Sequence, residues 1–294
     1  PLNGSLRLGT TTLTNGSTFT QADIDAGRLS YFHNGSETTI DNFTFTLTDG
    51  AGGNLGTTPF TINVTPQPDA PVLTTNTPLV IDEGSTLNLS DSFLKVTDPD
   101  TPASAIVYTL TVLPANGVLR KNGVALTIND TFTQEDINLG RMTYAHSGDE
   151  NTNDFFRFNV TDGTTPPLNN RTFSIVVNPV NDTPLLVTNQ ELTIPAVLFA
   201  PVAINNSVLQ TTDVDNTPAQ ITYTINSAPT YGVLKKAGVA LTTGSTFTQQ
   251  DIDLGLISYE LTTTPLGNDF FQFTVSDGGA GGTLSSDFFF FSFV

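Results

Sequence analysis

The hexapeptide FTQADI at residues 19–24 returns as FTQEDI at 132–137 and as FTQQDI at 247–252. The spacings, 113 and 115 residues, are each one domain length and far exceed the roughly 20–50 residues of a solenoid unit. A chain with this period is a tandem array of domains. Whatever one copy folds into, the others repeat.

The repetition extends well beyond the hexapeptide. DPDTPASAIVYTLT at 98–111 aligns with DVDNTPAQITYTIN at 213–226, and PANGVLRKNGVALT at 114–127 aligns with PTYGVLKKAGVALT at 229–242 and more weakly with PLNGSLRLGTTTLT at 1–14. After each hexapeptide come DNFTFTLTDG, NDFFRFNVTDG and NDFFQFTVSDG, and then one last apolar segment, FTINV, FSIVV or FFFFSFV. QPDAP at 67–71 and VNDTP at 180–184 separate the copies, because Pro holds its neighbours extended and marks a boundary. The copies therefore span 1–68, 69–182 and 183–294. The first lacks the equivalent of residues 70–113, so its sheets are expected to be incomplete unless another segment supplies strands.

Within a copy the apolar residues alternate with Thr, Ser or Asn in short runs between Gly, Asn, Asp and Pro. In FTFTLT, Phe43, Phe45 and Leu47 point to one face and the Thr residues to the other. About seven such runs per copy predict an all-β chain of tandem antiparallel Greek-key, Ig-like β-sandwiches in an elongated array. The hexapeptide itself predicts one helical turn bridging two sheets. Thr20 and Asp23 form a capping box, Ile24 is buried and Gly27 closes the turn; Thr133, Asp136 and Gly140, and Thr248, Asp251 and Gly255, repeat this. The Asp residues of the hexapeptide thus read as caps and not as ligands.

Ten Lys and Arg face 28 Asp and Glu, giving a net charge of −18 that repels nucleic acid and anionic lipid and favours cations. No run has the length of an apolar membrane span, and PLNGSLRLGT lacks the pattern of a signal peptide, so the chain reads as a piece of a longer one. The absence of Cys removes disulfides as a stiffener and leaves bound metal as the alternative.

Chemistry-bearing motifs are scarce. No nucleophile elbow, P-loop, HExxH or zinc spacing occurs, and no carboxylate pair stands out as catalytic. His33 and His146 occupy the same repeat position and read as strand-end hydrogen-bonding residues. With only Lys95, Lys121, Lys235 and Lys236 present, an intramolecular Lys–Asn cross-link has little to draw on. The expectation is a non-enzymatic chain.

The order GxL, FTQxDIxxGxxxYxHxGxE, DxFxFxxxDG resembles the chondroitin sulfate proteoglycan (CSPG) repeat, a cadherin-like domain of animal matrix proteins and large bacterial surface proteins. The second copy carries it in full, from Gly117 through Tyr144, His146, Gly148 and Glu150 to Asp154, Phe156, Phe158, Asp162 and Gly163. The first matches from Gly4 onward, with Tyr31, His33, Gly35 and Glu37, while the third replaces the His loop by YELTTTPLG. The resemblance implies stacked sandwiches that act as extracellular spacers and adhesion elements. The Cys-free, Thr-, Asn- and Gly-rich style points to a bacterial surface protein.

Calcium requires six to eight oxygen ligands from several converging segments, and domain junctions offer such convergence. At the second junction lie Asn181 and Asp182, with Asp213 and Asp215 further along. Cadherin-like junctions imply added acids from the preceding domain, here Glu83, Asp149 and Glu150. The corresponding set at the first junction is Asp69, Asp98, Asp100 and Glu37. An Asp-x-Asp pair can serve one ion only if the chain turns at Pro99 or Val214, because extended backbone sends alternate side chains to opposite faces. The plainer alternative is that DPD and DVD are Asx-turns without metal, and the third copy has IPAVLFAP where the second has the acidic IDEGS. If calcium binds, the array is stiff only with metal present.

The last strand stands apart. Aligned with Phe173 and Ile175, Phe288 and Phe290 face inward, which places Phe289 and Phe291 outward beside Phe293 as an apolar stripe for the next domain or a neighbouring chain. Taken together, the residues point to a stalk or spacer of a large cell-surface or secreted protein. Its partners are the adjacent repeats and a surface or matrix ligand. The alternative is a self-assembling fibre subunit in which a neighbour's strand completes the first copy. An accessory module of a carbohydrate-active enzyme would need an aromatic platform, and the chain has no Trp.

Overall fold

The structure is a computed structural model and describes every residue except Leu198, which falls in the IPAVLFAP stretch singled out above. Alternating side chains give strands throughout, and among the described residues the only helices are the three single turns of the hexapeptides. Two units are distinguished. One comprises Pro1–Ile81, Thr86–Ser147 and Asn153–Val176; the other comprises Asp82–Ser85, Gly148–Thr152 and Val177–Val294. The loops that carry Glu83 and Glu150 thus belong to the unit of the third copy.

The third copy shows the complete sandwich. A five-stranded sheet runs in the order Leu192–Ile194, Thr283–Phe293, Asp269–Ser276, Thr222–Ser227, Thr246–Thr248. A four-stranded sheet runs Val202–Ala203, Ile257–Leu261, Gly232–Lys236, Val239–Leu241, and a two-stranded ribbon joins Leu185–Asn189 to Leu209–Thr212. Their inward residues, among them Tyr223, Phe247, Leu234, Tyr259, Phe271 and Phe289, form one buried core. The second copy has the same strand order in its five-stranded sheet from Thr131–Thr133 to Leu79–Asp82.

Each hexapeptide forms its predicted turn, Gln21–Asp25, Gln134–Asn138 and Gln249–Asp253, with both halves of the capping box present. Gly27, Gly140 and Gly255 close the turns at φ of 64°, 66° and 67°, the left-handed region that glycine enters without steric cost. Ile137 and Ile252 are buried as predicted, but Ile24 is exposed. The reason is the shortened first copy, which retains only Thr11–Thr12, Gly4–Leu8 and Leu29–His33 in one sheet and Ile40–Thr48 with Asn54–Asn63 in the other. Leu47 and Phe60 are 55% and 52% exposed there, whereas the matching Val160 and Phe173 of the second copy are 0% exposed.

A buried carboxylate ties the sheets of each copy together. Asp154 accepts from the backbone N–H groups of Ala115, Asn116 and Phe155 and from the Tyr144 hydroxyl at 2.8–2.9 Å. Asp41 and Asp269 do the same with Tyr31 and Tyr259. Gly117 opens the strand Gly117–Lys121, where a Cβ would lie 2.5 Å from the Tyr144 ring.

The Phe-rich strand corrects the sequence expectation. Phe289 and Phe291 are fully buried at 0% exposure, while Phe288 and Phe290 are 38% and 46% exposed. Phe293 is half-buried against the same core. Residues 161–167 separate the paired Val160 and Leu168 in the second copy, but 276–283 separate Val275 and Leu284 in the third. This one extra residue in the Gly-rich hairpin shifts the register, and a one-residue shift sends every side chain to the opposite face.

Candidate metal centres

The turn demanded of each Asp-x-Asp pair is present. Asp98 Oδ1 accepts from the N–H groups of Asp100 (2.9 Å) and Thr101 (3.0 Å), and Asp213 Oδ1 accepts from Asp215 (2.9 Å) and Asn216 (3.0 Å). These are Asx-turns, as the metal-free alternative required. Each turn also brings its second Asp back onto the linker. Asp100 Oδ2 accepts from Asp69 N–H at 2.5 Å, and Asp215 Oδ2 accepts from Asp182 N–H at 2.7 Å.

Around these anchors the carboxylates converge. Oxygens of Glu37, Asp69 and Asp100 lie within 4.8 Å of one another, and so do those of Glu83, Glu150 and Asp182. Among the described residues none of these six is ion-paired with Lys or Arg. Glu83 Oε2 accepts from Val180 N–H at 3.3 Å, which holds it against the linker.

Electrostatics records the crowding. Glu37 is raised above its ordinary value, first by its hydrogen bond to Asp100 and then by desolvation and the charges of Asp69 and Asp98. Asp100 is lowered, first by the Asp69 N–H and then by Glu37. Glu150 is pushed up to about 7, by desolvation first and then by a hydrogen bond to Asp215 and the charges of Asp215, Glu83 and Asp182. Like charges held this close raise the cost of ionising each other, and a bound cation would remove that cost.

The remaining predicted ligands divide. Among the described residues, Asp98 and Asp213 each keep one oxygen, Oδ2, buried and without a hydrogen-bond partner. Asn181 turns its Nδ2 to Asp277 Oδ2 at 2.9 Å, and Asp149 Oδ1 accepts from Asn151. Among the described residues Asp149 is not part of a triad of converging acidic oxygens. Asp162 and Asp277 were not among the predicted ligands: the charge of Asp162 works against the lowering of Asp100, and Asp277 holds the linker Asn181. Their signal was the Asp-Gly that closes each FxFxxxDG segment.

The histidines behave structurally. His33 Nε2 is 3.0 Å from Thr38 Oγ1 and its Nδ1 accepts from Gly35 N–H, so it shapes the loop that leads to Glu37. His146 is buried.

A cadherin-like family model matches residues 1–64, 71–177 and 184–292. The chain belongs to the cadherin-like family. Human extracellular matrix organizing protein FRAS1 is 32% identical over 89% of this chain, and human chondroitin sulfate proteoglycan 4 is 30% identical over 86%. The chain spans 7% and 11% of these two relatives, respectively. Neither relative is bacterial, so the bacterial style read from composition finds no support in them. The crystal structure of human CDH23 EC21-23 superposes with a TM-score of 0.50 at 15% identity, covering 98% of this chain and 88% of that one, which shows the cadherin-like fold.

Proposed function

We propose that the chain is a non-enzymatic spacer segment of an extracellular or cell-surface protein, with calcium fixing its successive repeats. The relatives named for matrix organization and for a proteoglycan support the extracellular, structural part of this reading. The observation that supports calcium is the buried Oδ2 of Asp98 and of Asp213, without a hydrogen-bond partner among the described residues, each beside converging acids that pair with no described Lys or Arg. Burying a carboxylate oxygen without a partner is costly, and a hard cation with oxygen ligands offsets that cost.

The donor set fits calcium. It is all oxygen, drawn from well-separated segments, and it contains no thiolate or imidazole that would favour zinc. In the first set Glu37, Asp69, Asp98 and Asp100 would hold the ion; in the second, Glu83, Glu150, Asp182, Asp213 and Asp215 would. Domain bounds of 1–68, 69–182 and 183–294 place a linker acid in each set. Calorimetric titration with calcium against magnesium tests the reading. Calcium should bind with the stronger affinity and Asp69→Ala should weaken one set of sites. Equal, weak binding of both ions would leave the Asx-turns as the whole account.

A further inference from the structure

The strand that follows each hexapeptide turn ends at the same register position, with His33 opposite Gly4, His146 opposite Gly117 and Leu261 opposite Gly232. Four residues after each histidine stands a glutamate of an acid set, Glu37 or Glu150. The stretch 262–268 that follows Leu261 contains no acid. Histidine and glutamate thus occur together in two copies and are missing together from the third.

The first copy shows why the two belong together. Gly35 N–H donates to His33 Nδ1 at 3.3 Å, and His33 Nε2 lies 3.0 Å from Thr38 Oγ1. A neutral imidazole that accepts at Nδ1 carries its proton on Nε2, so the second contact is a donation to Thr38. One ring clasps residues on both sides of Glu37, and Gly35, at φ 80°, turns the chain back toward it. The Glu37 carboxyl in turn reaches Asp100, and that hydrogen bond is the largest cause of its raised pKa. His146 is placed alike: it is buried, its ring lies 6.5 Å from Tyr144 at 48° where His33 lies 6.3 Å from Tyr31 at 42°, and Gly148 has a φ of 84°. The entry to the loop is not what differs between copies. Asn34, Ser147 and Thr262 donate their N–H groups to the carbonyls of Asn3, Asn116 and Tyr231 at 2.9, 2.9 and 3.0 Å. Beyond that bond the third copy ties its loop through the Thr262 and Thr263 hydroxyls to Tyr231 O.

We infer that His33 is a positioning residue for the first acid set, clasping the loop 34–38 so that the Glu37 carboxylate stands against Asp100 before any ion arrives, and that His146 holds the loop of Glu150 in the same way. This role rests on the calcium reading for its consequence and not for its geometry. Calcium then meets a ligand whose backbone is already ordered, so the entropy of ordering the loop is not charged to binding. A copy with Leu at this place has no such clasp, and its loop carries no glutamate to position.

The test follows single residues by NMR in the full chain, as wild type and as His33→Leu. That variant installs the residue type that the third copy carries at the same strand position, so the strand pairing is kept. In chelator, Glu37 titrates above its ordinary value in the wild-type chain and should fall back toward it in His33→Leu. On addition of calcium the first set should bind roughly tenfold more weakly in His33→Leu, with the second set unchanged. His33→Gln, whose amide carries both a donor and an acceptor, should recover part of the loss. An unchanged Glu37 titration, an unchanged affinity at a first set that does bind calcium, or an equal loss at both sets would overturn the role. A wild-type chain that takes up no calcium while Glu37 still relaxes in the variant would overturn the calcium reading and leave the clasp standing.

Discussion

The backbone N–H of Asp69 donates to the carboxylate of Asp100, 31 residues away, at 2.5 Å. Asp182 and Asp215 repeat the bond at 2.7 Å. In each pair the linker is anchored by the second acid of an Asp-x-Asp turn, and the first acid is left with a buried oxygen that nothing in the described chain satisfies. A turn built only to bend the chain would need neither the anchor nor the orphaned oxygen.

Two sets of acids imply two independent groups of calcium sites. Asp100→Asn should abolish the binding assigned to the first set and leave the second intact, halving the bound calcium measured by equilibrium dialysis. No further set is expected at the loops of the third copy, where Val197 and Leu266 are exposed in the stretches that replace the Glu83 and Glu150 loops.

Without calcium, Glu150 sets a pH dependence. Its carboxyl is raised in the folded chain to about 7 from an ordinary value of 4.5, so the folded state binds the proton more tightly than the unfolded one. Its contribution is fully present below the unfolded value and is lost as pH rises through about 7. In chelator, the melting temperature of the wild-type chain should therefore fall more between these pH values than that of Glu150→Gln. Parallel profiles would contradict the crowding described for this cluster.

The hexapeptide helix turns are expected to matter unequally. Asp136 is buried, caps Thr133, and pairs with Lys121 at 2.6 Å and Arg141 at 3.1 Å; burial pushes its pKa up, but these partners together hold it at about 2. Asp136→Ala should cost about 2 kcal/mol in chemical denaturation, through the lost cap and two cations left without their anion. Asp23→Ala should have a smaller effect, because the same turn in the first copy is exposed.

The Phe-rich strand offers a direct check of register. Phe289→Ala should cost about 3–5 kcal/mol by opening a cavity in the core, while Phe288→Ser should cost markedly less, because Phe288 is 38% exposed and packs only against Phe270 and Phe290 among the described rings. The reverse ranking would restore the alignment read from sequence.

These cases show what the sequence could and could not reveal. The capping boxes were legible because Thr20, Asp23 and Gly27 act within seven or eight residues of one another and need no knowledge of the rest. The acid sets were partly legible, since recurring Asp-x-Asp pairs and linker acids mark the segments that meet. Which acids meet was not, because the segments that converge lie far apart in sequence; Asn181, for example, donates to Asp277, 96 residues on, while Asp149 accepts from its near neighbour Asn151. The facing of Phe289 depended on one residue of hairpin length, which propensity does not encode. Gln134 was present in the quoted hexapeptide, yet its role appears only when Tyr108 and Val96, far away in sequence, arrive at its oxygen.

Thermal unfolding of the full chain in excess calcium and then in chelator, repeated on Asp98→Ala and Asp213→Ala, tests the central claim most directly. Calcium at a hundredfold excess over its dissociation constant should stabilise each site by about 2.7 kcal/mol, visible as a raised melting temperature, and each variant should lose its share of that rise. A melting temperature indifferent to calcium, or variants that keep the full rise, would contradict calcium-fixed repeats and leave the acid pairs as turns.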